Sequence, residues 1–289
     1  MVMIREPVVA GRFYPGSPDE CEAAVARYGQ CRDADASFPG PARGGIVPHA
    51  GWMCSGAVAG RVFAALARTA TPRTIVLFGT MHRVHGRTGM LFAAGQWETP
   101  LGRVDVDERL AERVLGLTNQ IVEDAAAHED EHSLEVQVPF IQRLWPDCRI
   151  LPVLVPPVKE APAIGEAVGR TLAEYACEAV VVGSTDLTHY GPSYRFTPKG
   201  TGAGALTWAK DVNDRRLIDL MTSMNADGVI EEVARNRNAC GAGAIAATIA
   251  AVKRLGATRG ILLEHTTSHE VLGERGFGDA VGYAGVIYA

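Results

Sequence analysis

Four side chains that could do chemistry follow three short apolar segments of the chain, at the point where each segment ends. They are His49, His82, and the pair Asp186 and His189. A short apolar run that stops at Pro or Gly is typical of a buried β-strand followed by a turn. Because ligands collect at the carboxyl ends of strands in open α/β sheets, we expect these side chains to share one sheet edge and to form a site.

The spacing of Asp186 and His189 suggests acid–base chemistry. An oriented imidazole with a near-neutral pKa is the commonest proton shuttle in enzymes, and a carboxylate three residues away could orient it. We therefore expect His189 to donate or accept a proton and Asp186 to orient it. The alternative is that Asp186 caps the loop by accepting backbone N–H bonds while His189 fills space.

Cys240 occupies the first turn of a predicted helix, where free N–H groups and the helix dipole favour a thiolate. A thiolate can serve as a metal ligand or as a nucleophile. A buried, inert thiol at the start of a helix is the alternative that the sequence alone leaves open.

A competing pattern is His128-Glu129-Asp130-Glu131-His132, which matches the H-E-x-x-H motif of zinc hydrolases. Its context is poor, because residues 149–158 indicate a strand and a Pro-Pro turn where a helix should supply a third ligand. We interpret the stretch as a charged entrance to an amphipathic helix that Pro139 kinks. Zinc hydrolysis here is a distant alternative.

Composition limits the classes of protein to consider. The chain has 289 residues, 47% of them hydrophobic and 21% charged, with a net charge of −5. It is long enough to bury a large core, and it contains no basic stripe of the kind that binds nucleic acid. No apolar run approaches the ~20 residues of a membrane span, and the N-terminus does not resemble a signal peptide. The six cysteines lack C-x-x-C spacing, so we expect a cytoplasmic protein without a disulfide framework, binding neither nucleic acid nor membrane.

Strands and helices alternate along the chain, which predicts an α/β fold with a largely parallel central sheet. A capping box at Ser17-Pro18-Asp19-Glu20 should start a helix that ends near Tyr28, and residues 29–43 should form a linker. The other predicted strands are 44–48, 73–79, 88–94, 149–155, 178–183, 259–265 and 281–288. The other predicted helices are 57–70, 107–117, 132–145, 160–176, 205–223, 226–236 and 241–255, the last rich in Gly and Ala and therefore expected to pack in the interior.

The ordered motifs of the chain resemble those of the Memo family, also called AmmeMemoRadiSam system protein B. They extend from the N-terminus almost to the C-terminus: Arg5-Glu6-Pro7, Ala10-Gly11-Arg12-Phe13-Tyr14-Pro15, Val47-Pro48-His49-Ala50-Gly51, Thr99-Pro100-Leu101-Gly102, Glu131-His132-Ser133-Leu134-Glu135, Ser184-Thr185-Asp186-Leu187-Thr188-His189-Tyr190, Cys240-Gly241 and Gly282-Tyr283-Ala284-Gly285.

This resemblance implies one domain over residues 1–289, with a mixed sheet flanked by helices as in class III extradiol dioxygenases. It also implies that His49, His82 and Cys240 bind iron or copper, with Asp186 and His189 in the same pocket. Zinc would suit the same ligands. The family name further implies an AMMECR1-like protein and a radical-SAM protein as partners.

The chain departs from the family pattern at two places. Arg83 follows His82 where the family usually has a second histidine, so we expect a changed pocket charge. His269 and Glu270 replace a Gly-Asp pair, which puts a substrate contact there in doubt. Our leading hypothesis is a metal-dependent redox or oxygenase-like enzyme of unknown substrate. The alternative is a non-catalytic module that uses the same pocket to bind a peptide or sequester metal.

Overall fold

The computed structural model describes residues 2–29, 40–83, 86–273 and 278–289 of the chain. A large mixed sheet lies between two layers of helices, and a small sheet lies beside it. The strands are β1 (Ile4–Arg5), β2 (Gly44–Val47), β3 (Thr74–Thr80), β4 (Gly89–Leu91), β5 (Gln96–Thr99), β6 (Gly102–Asp105), β7 (Ile121–Glu123), β8 (Arg149–Val155), β9 (Ala179–Ser184), β10 (His189–Tyr190), β11 (Gly260–Thr267) and β12 (Ala280–Tyr288). The α-helices are α1 (Pro18–Tyr28), α2 (Trp52–Ala67), α3 (Glu108–Leu117), α4 (Val138–Leu144), α5 (Ala161–Glu174), α6 (Ala203–Thr207), α7 (Arg215–Thr222), α8 (Ala226–Asn236), α9 (Ala242–Arg254) and α10 (Ser268–Leu272).

Among the described residues, nine strands form the large sheet in the order β10-β12-β2-β9-β3-β8-β4-β7, with β11 paired to β12. The central strands β2, β9, β3 and β8 run parallel, and antiparallel pairs flank them on both sides. These central strands are buried, as expected of parallel strands covered on both faces. The predicted α/β fold with a mixed sheet flanked by helices is therefore confirmed.

Helices α1, α2 and α4 contribute to the core on one face of the sheet, and α3, α5, α7, α8 and α9 to the core on the other. Helices α5 and α9 approach closely, because a methyl group on Gly165 would overlap the backbone of Ala247. The Gly- and Ala-rich helix over 241–255 was expected to pack in the interior, and its residues are indeed mostly buried.

The predicted helix over 132–145 is correct only in its second half. Only Val138–Leu144 is α-helical, after a 3-10 turn at Glu135–Gln137. The carboxylate of Glu135 is buried and accepts hydrogen bonds from the backbone of Val8 and Val9 and from Tyr14. Because these long-range hydrogen bonds hold Glu135 outside an α-helix, α4 begins only at Val138. Pro139 therefore lies in the first turn of α4 and does not kink a longer helix.

The predicted helix over 205–223 is interrupted by a π-helical segment, Trp208–Asp214, between α6 and α7. At the end of this segment two neighbouring residues, Asn213 and Asp214, are both buried. Asp214 accepts the N–H of Thr188 at 2.9 Å, and the Asn213 amide donates to the Thr188 hydroxyl at 3.1 Å. The π-helical segment thus supports the loop that carries His189.

Smaller differences concern helix starts and short strands. The predicted capping box at Ser17 does not form, because its hydroxyl bonds to the Glu20 side chain and caps no backbone N–H. Helix α2 begins at Trp52, earlier than predicted. The short strands β1, β5, β6, β7 and β10 were not predicted, nor was α10. Most of the predicted linker over 29–43 lies outside the described residues, and no helix in the described ranges is long and apolar enough to cross a bilayer.

Candidate metal centre

The parallel strands β2, β9 and β3 are neighbours in the sheet, so the segments that follow them emerge at the same edge. His49 follows β2, His82 follows β3, and Asp186 and His189 follow β9. His49 is 2% exposed, whereas His82 is exposed. The sequence-based expectation that these loops converge is confirmed by their contacts, described below.

The ring of His49 is oriented by Ser184. Its Nδ1 lies 2.9 Å from the Ser184 hydroxyl, which lies 2.7 Å from the Ser133 carbonyl oxygen and donates to it. Because a hydroxyl has one hydrogen to donate, it must accept from Nδ1–H of His49. The lone pair of Nε2 is then available on the side of Cys240, whose Sγ lies 3.2 Å away.

The ring of His82 is oriented by Glu131, a role that the sequence analysis did not assign to this residue. The carboxylate accepts the backbone N–H of His82 at 3.0 Å and the ring Nδ1–H at 2.9 Å, and it also accepts the Ser133 N–H at 2.8 Å. Burial alone raises the pKa of Glu131, but the hydrogen bond from His82 and the His82 charge outweigh it and lower that pKa to about 2. A carboxylate on the far nitrogen is the usual partner of a metal-binding histidine, and it leaves Nε2 for the cluster.

Cys240 lies just before α9 instead of in its first turn. Its backbone N–H donates to the Asp186 carbonyl oxygen at 3.3 Å, and its sulfur accepts the Asp186 N–H at 3.3 Å. A Cβ on Gly241 would come within 2.7 Å of the Ser184 carbonyl oxygen. Glycine at this position therefore allows the start of α9 to approach the end of β9 and brings the thiol to the sheet edge.

The charges in the cluster favour a thiolate. Burial raises the pKa of Cys240, but the His49 charge and the hydrogen-bond contacts with His49 and His82 outweigh it and lower that pKa to about 6. Burial lowers the pKa of His82, but hydrogen bonds with Cys240 and Glu131 raise it to about 10. Burial also lowers the pKa of His49, while the adjacent Cys240 opposes this. Positive charge is thus favoured at the His82 ring, between the Glu131 carboxylate and the Cys240 thiolate. A metal cation bound there would replace the protons of the ligand atoms.

Two groups of side chains in the described residues have ligand atoms within 4.8 Å of one another: His49 with His82 and Cys240, and His82 with Glu131 and His132. In the first group the two imidazole rings are perpendicular, at 87°, with centroids 5.2 Å apart. In the second group the rings of His82 and His132 are stacked at 15°, with centroids 4.7 Å apart. Imidazole lone pairs lie in the ring plane, so stacked rings cannot both point at one ion. The orientation of the rings therefore favours the first group, His49, His82 and Cys240, as the metal ligands.

We expected the Asp186 carboxylate to orient the His189 ring, but the two side chains form no hydrogen bond with each other. The Asp186 carboxylate accepts the backbone N–H of His49 at 2.8 Å and that of Ala50 at 3.2 Å. The His189 Nδ1 bonds to the Leu187 carbonyl oxygen at 3.0 Å. Burial raises the pKa of Asp186, while the nearby His189 opposes this. Asp186 thus fixes the backbone that carries His49, which is the capping arrangement that the sequence left open.

An open cleft of about 520 Å³ leads to the cluster. It is lined by His82, His189, Tyr194, Val233, Ala234, Arg237, Ala239 and Cys240. Cys240 is half-buried and His82 is exposed, so two of the three candidate ligands are accessible from the cleft. A bound ion at this position could therefore be reached by a small molecule.

The H-E-x-x-H stretch lacks the geometry of a zinc hydrolase. Residues Ala126–His128 form a short 3-10 helix, and residues 129–134 are not helical, so the two histidines are not one α-helical turn apart. The His128 ring is fully buried, and its Nε2 bonds to the Met90 carbonyl oxygen at 3.0 Å. Its partner in the motif, His132, instead stacks on His82.

The two departures from the family pattern lie outside the cluster. The Arg83 guanidinium pairs with Asp130 at 3.0 Å on the surface and is not among the residues that line the cleft. Glu270 accepts the Thr267 N–H in a capping box at the start of α10 and pairs with Lys210. His269 lies in the same helix.

Sequence comparisons with known proteins give matches over nearly the whole chain. A sequence model of the family described as Memo-like protein matches residues 5–287. A MEMO1 family protein of Methanopyrus kandleri is 35% identical over 300 residues, covering 99% of each chain. One of Pyrococcus furiosus is 36% identical over 295 residues, again covering 99% of each, and one of Methanothermobacter thermautotrophicus is 37% identical over 292 residues, covering 98% of this chain and 99% of that one. Among solved structures, an uncharacterized protein of Escherichia coli K12 matches with a TM-score of 0.48 and 14% identity, over 79% of this chain and 91% of that one.

Proposed function

This chain belongs to the Memo family, and we propose that His49, His82 and Cys240 hold one iron or copper ion in a cytoplasmic redox or oxygenase-like enzyme. The observation that carries the proposal is the convergence of three ligand atoms within 4.8 Å from three distant segments. The Ser184 hydroxyl and the Glu131 carboxylate accept hydrogen bonds from Nδ1–H of His49 and His82, which leaves one ring nitrogen of each histidine available to the cluster. Preorientation of this kind is what a metal site requires of its surroundings.

The donor set limits the chemistry. Two imidazoles and a thiolate suit Fe(II), Cu(I) or Zn(II) and leave a position open for a small ligand. A bound iron or copper ion would supply Lewis acidity and one-electron redox chemistry. Ring-cleaving dioxygenases use a carboxylate where this chain has Cys240. We therefore propose a reaction other than ordinary catechol cleavage.

Within the cleft, we assign proton transfer to His189. Its Nδ1–H donates to the Leu187 carbonyl oxygen, so its Nε2 is the atom that can accept a proton from a ligand. The side chain lines the cleft together with His82 and Cys240. Asp186 acts on the metal side, as a positioning residue that holds the backbone of His49.

Oxygen consumption tests the proposal against its main alternative, a non-catalytic module that binds a peptide or sequesters metal. Protein purified without oxygen and loaded with Fe(II) or Cu(I) is screened for oxygen uptake with a panel of small molecules. An enzyme loses this uptake in Cys240→Ser, whereas His189→Ala keeps the metal and loses kcat. A peptide-binding module would show no uptake and would keep its affinity for peptide when Cys240 is replaced.

A further inference from the structure

The cleft beside the metal cluster carries one side chain of fixed charge among its described lining residues, that of Arg237. Its other walls, apart from the histidines and the cysteine, are Tyr194, Val233, Ala234 and Ala239. The cleft volume of about 520 Å³ is typical of a small-molecule site. A ligand there would meet an apolar surface, the Arg237 cation and the accessible side chains of the cluster.

The backbone at Arg237 has an unusual conformation. The residue ends α8 with a φ of 51°, in the left-handed region that usually selects glycine or asparagine, and its N–H donates to the Val233 carbonyl oxygen. The guanidinium carbon lies 4.7 Å from the centre of the Phe196 ring. This cation–π contact holds the guanidinium beside the Phe196 ring, and its N–H groups donate to no other described residue.

Within the described residues, Arg237 forms no ion pair. Arg235, two residues earlier on the same helix, pairs with Glu231 on the exposed surface. An arginine in a cleft without a carboxylate partner presents a planar fork of donors, which matches the oxygens of a carboxylate.

We propose that Arg237 binds the carboxylate of a small organic anion, so that the ligand's apolar body lies along Val233, Ala234 and Ala239 and its far end reaches the cluster. The proposal deepens the function proposed above, since it names the class of molecule that the cleft admits. Arg237 is then a residue that determines specificity, and it takes no part in holding the metal.

Binding of matched acids and amides tests this assignment. Benzoate, phenylacetate and phenylpropionate, each beside its primary amide, are titrated by calorimetry into the metal-loaded protein. A charge-assisted pair with arginine should favour at least one acid over its amide about tenfold. Arg237→Gln should lower the affinity for that acid to that of the amide and leave the amide unchanged. Arg237→Lys, which keeps the charge but loses the fork, should fall between them.

Arg235→Gln is the matched control, because it removes a surface guanidinium from the same helix end and should keep the tenfold preference. Equal binding of every acid and its amide, or no binding of any probe, overturns the proposal. A preference that survives Arg237→Gln and disappears when the metal is removed also overturns it, because the metal would then recognise the carboxylate. Metal content is measured in the same samples. A preference that depends on Arg237 in protein unable to bind metal would contradict the metal site and support this assignment.

Discussion

The carboxylate of Glu131 holds His82 at two points, accepting its backbone N–H at 3.0 Å and its ring Nδ1–H at 2.9 Å. This bond places the opposite nitrogen of the ring toward His49 and Cys240. The side chain of Glu131 is 5% exposed, so water competes little for these hydrogen bonds. The relationship makes Glu131 part of the candidate centre although it is not one of the proposed ligands.

Glu131→Gln should weaken metal binding about 10- to 100-fold, as loss of the partner of a ligating histidine does elsewhere. The amide cannot provide the negative charge that stabilises the His82 ring in this orientation. Competition with a chromophoric chelator measures the affinity. Glu129→Gln changes an exposed carboxylate of the same loop and should have no effect. Equal affinities in the two variants would contradict a role for Glu131.

The loop that carries Glu131 is tied to the N-terminus by a buried ion pair. Arg5 bonds to the Glu135 carboxylate at 2.8 Å and to the carbonyl oxygens of His128 and Glu131, and its guanidinium lies over the Trp97 ring. Arg5→Ala should lower the free energy of unfolding by about 3–5 kcal/mol, because the Glu135 charge would remain buried without its partner. Urea denaturation measures the change. Arg12→Ala, on the exposed surface, should change the free energy of unfolding by less than about 0.5 kcal/mol. An equally small effect of Arg5→Ala would contradict a stabilising role for the Arg5–Glu135 ion pair.

His128 should make stability depend on pH. Burial lowers its pKa from 6.5 to about 4, so between these values the unfolded chain binds a proton that the native protein does not. The contribution of His128 to the free energy of unfolding is therefore fully present above pH 6.5. It is lost as pH falls toward about 4, which lowers that free energy by about 3 kcal/mol. His128→Gln, which can still donate to Met90, should flatten this part of the stability curve. Parallel curves for the two proteins between these pH values would count against the assignment.

The same residue separates the zinc-hydrolase interpretation from ours. His128→Ala should destabilise the fold, since it empties a fully buried position, but should leave the metal content of the folded protein unchanged. Elemental analysis of folded protein, isolated by size exclusion, measures this. Loss of metal in this variant would favour the H-E-x-x-H site.

The general position of the site could be predicted from the sequence because its signals are local. Apolar runs that stop at Pro or Gly indicated the ends of β2, β3 and β9, and three of the four residues that follow them, His49, His82 and His189, carry imidazoles. Neighbouring parallel strands have their carboxyl ends at the same edge of the sheet, independently of the other segments of the chain. The ligand set itself was implied by the resemblance to the family.

The supporting residues could not be predicted, because their role depends on contacts between distant segments. Glu131 looked like part of a charged helix entrance, yet it is buried against a loop 49 positions away in the chain. Glu135 fits a helix by propensity, but its carboxylate satisfies the backbone of Val8 and Val9. Polar and apolar residues alternate over 133–138, and this period of two was a signal in the sequence against a helix there.

The metal content of protein purified without oxygen tests the central claim most directly. We predict about one iron or copper ion per chain in the wild type, close to none in Cys240→Ser, and wild-type content in Cys177→Ser, which replaces a thiol remote from the cluster. Anaerobic handling matters because oxidation of the thiolate removes a ligand. A wild-type protein that binds no metal when Fe(II), Cu(I) or Zn(II) is supplied, or a Cys240→Ser variant that retains full metal content, would contradict the account.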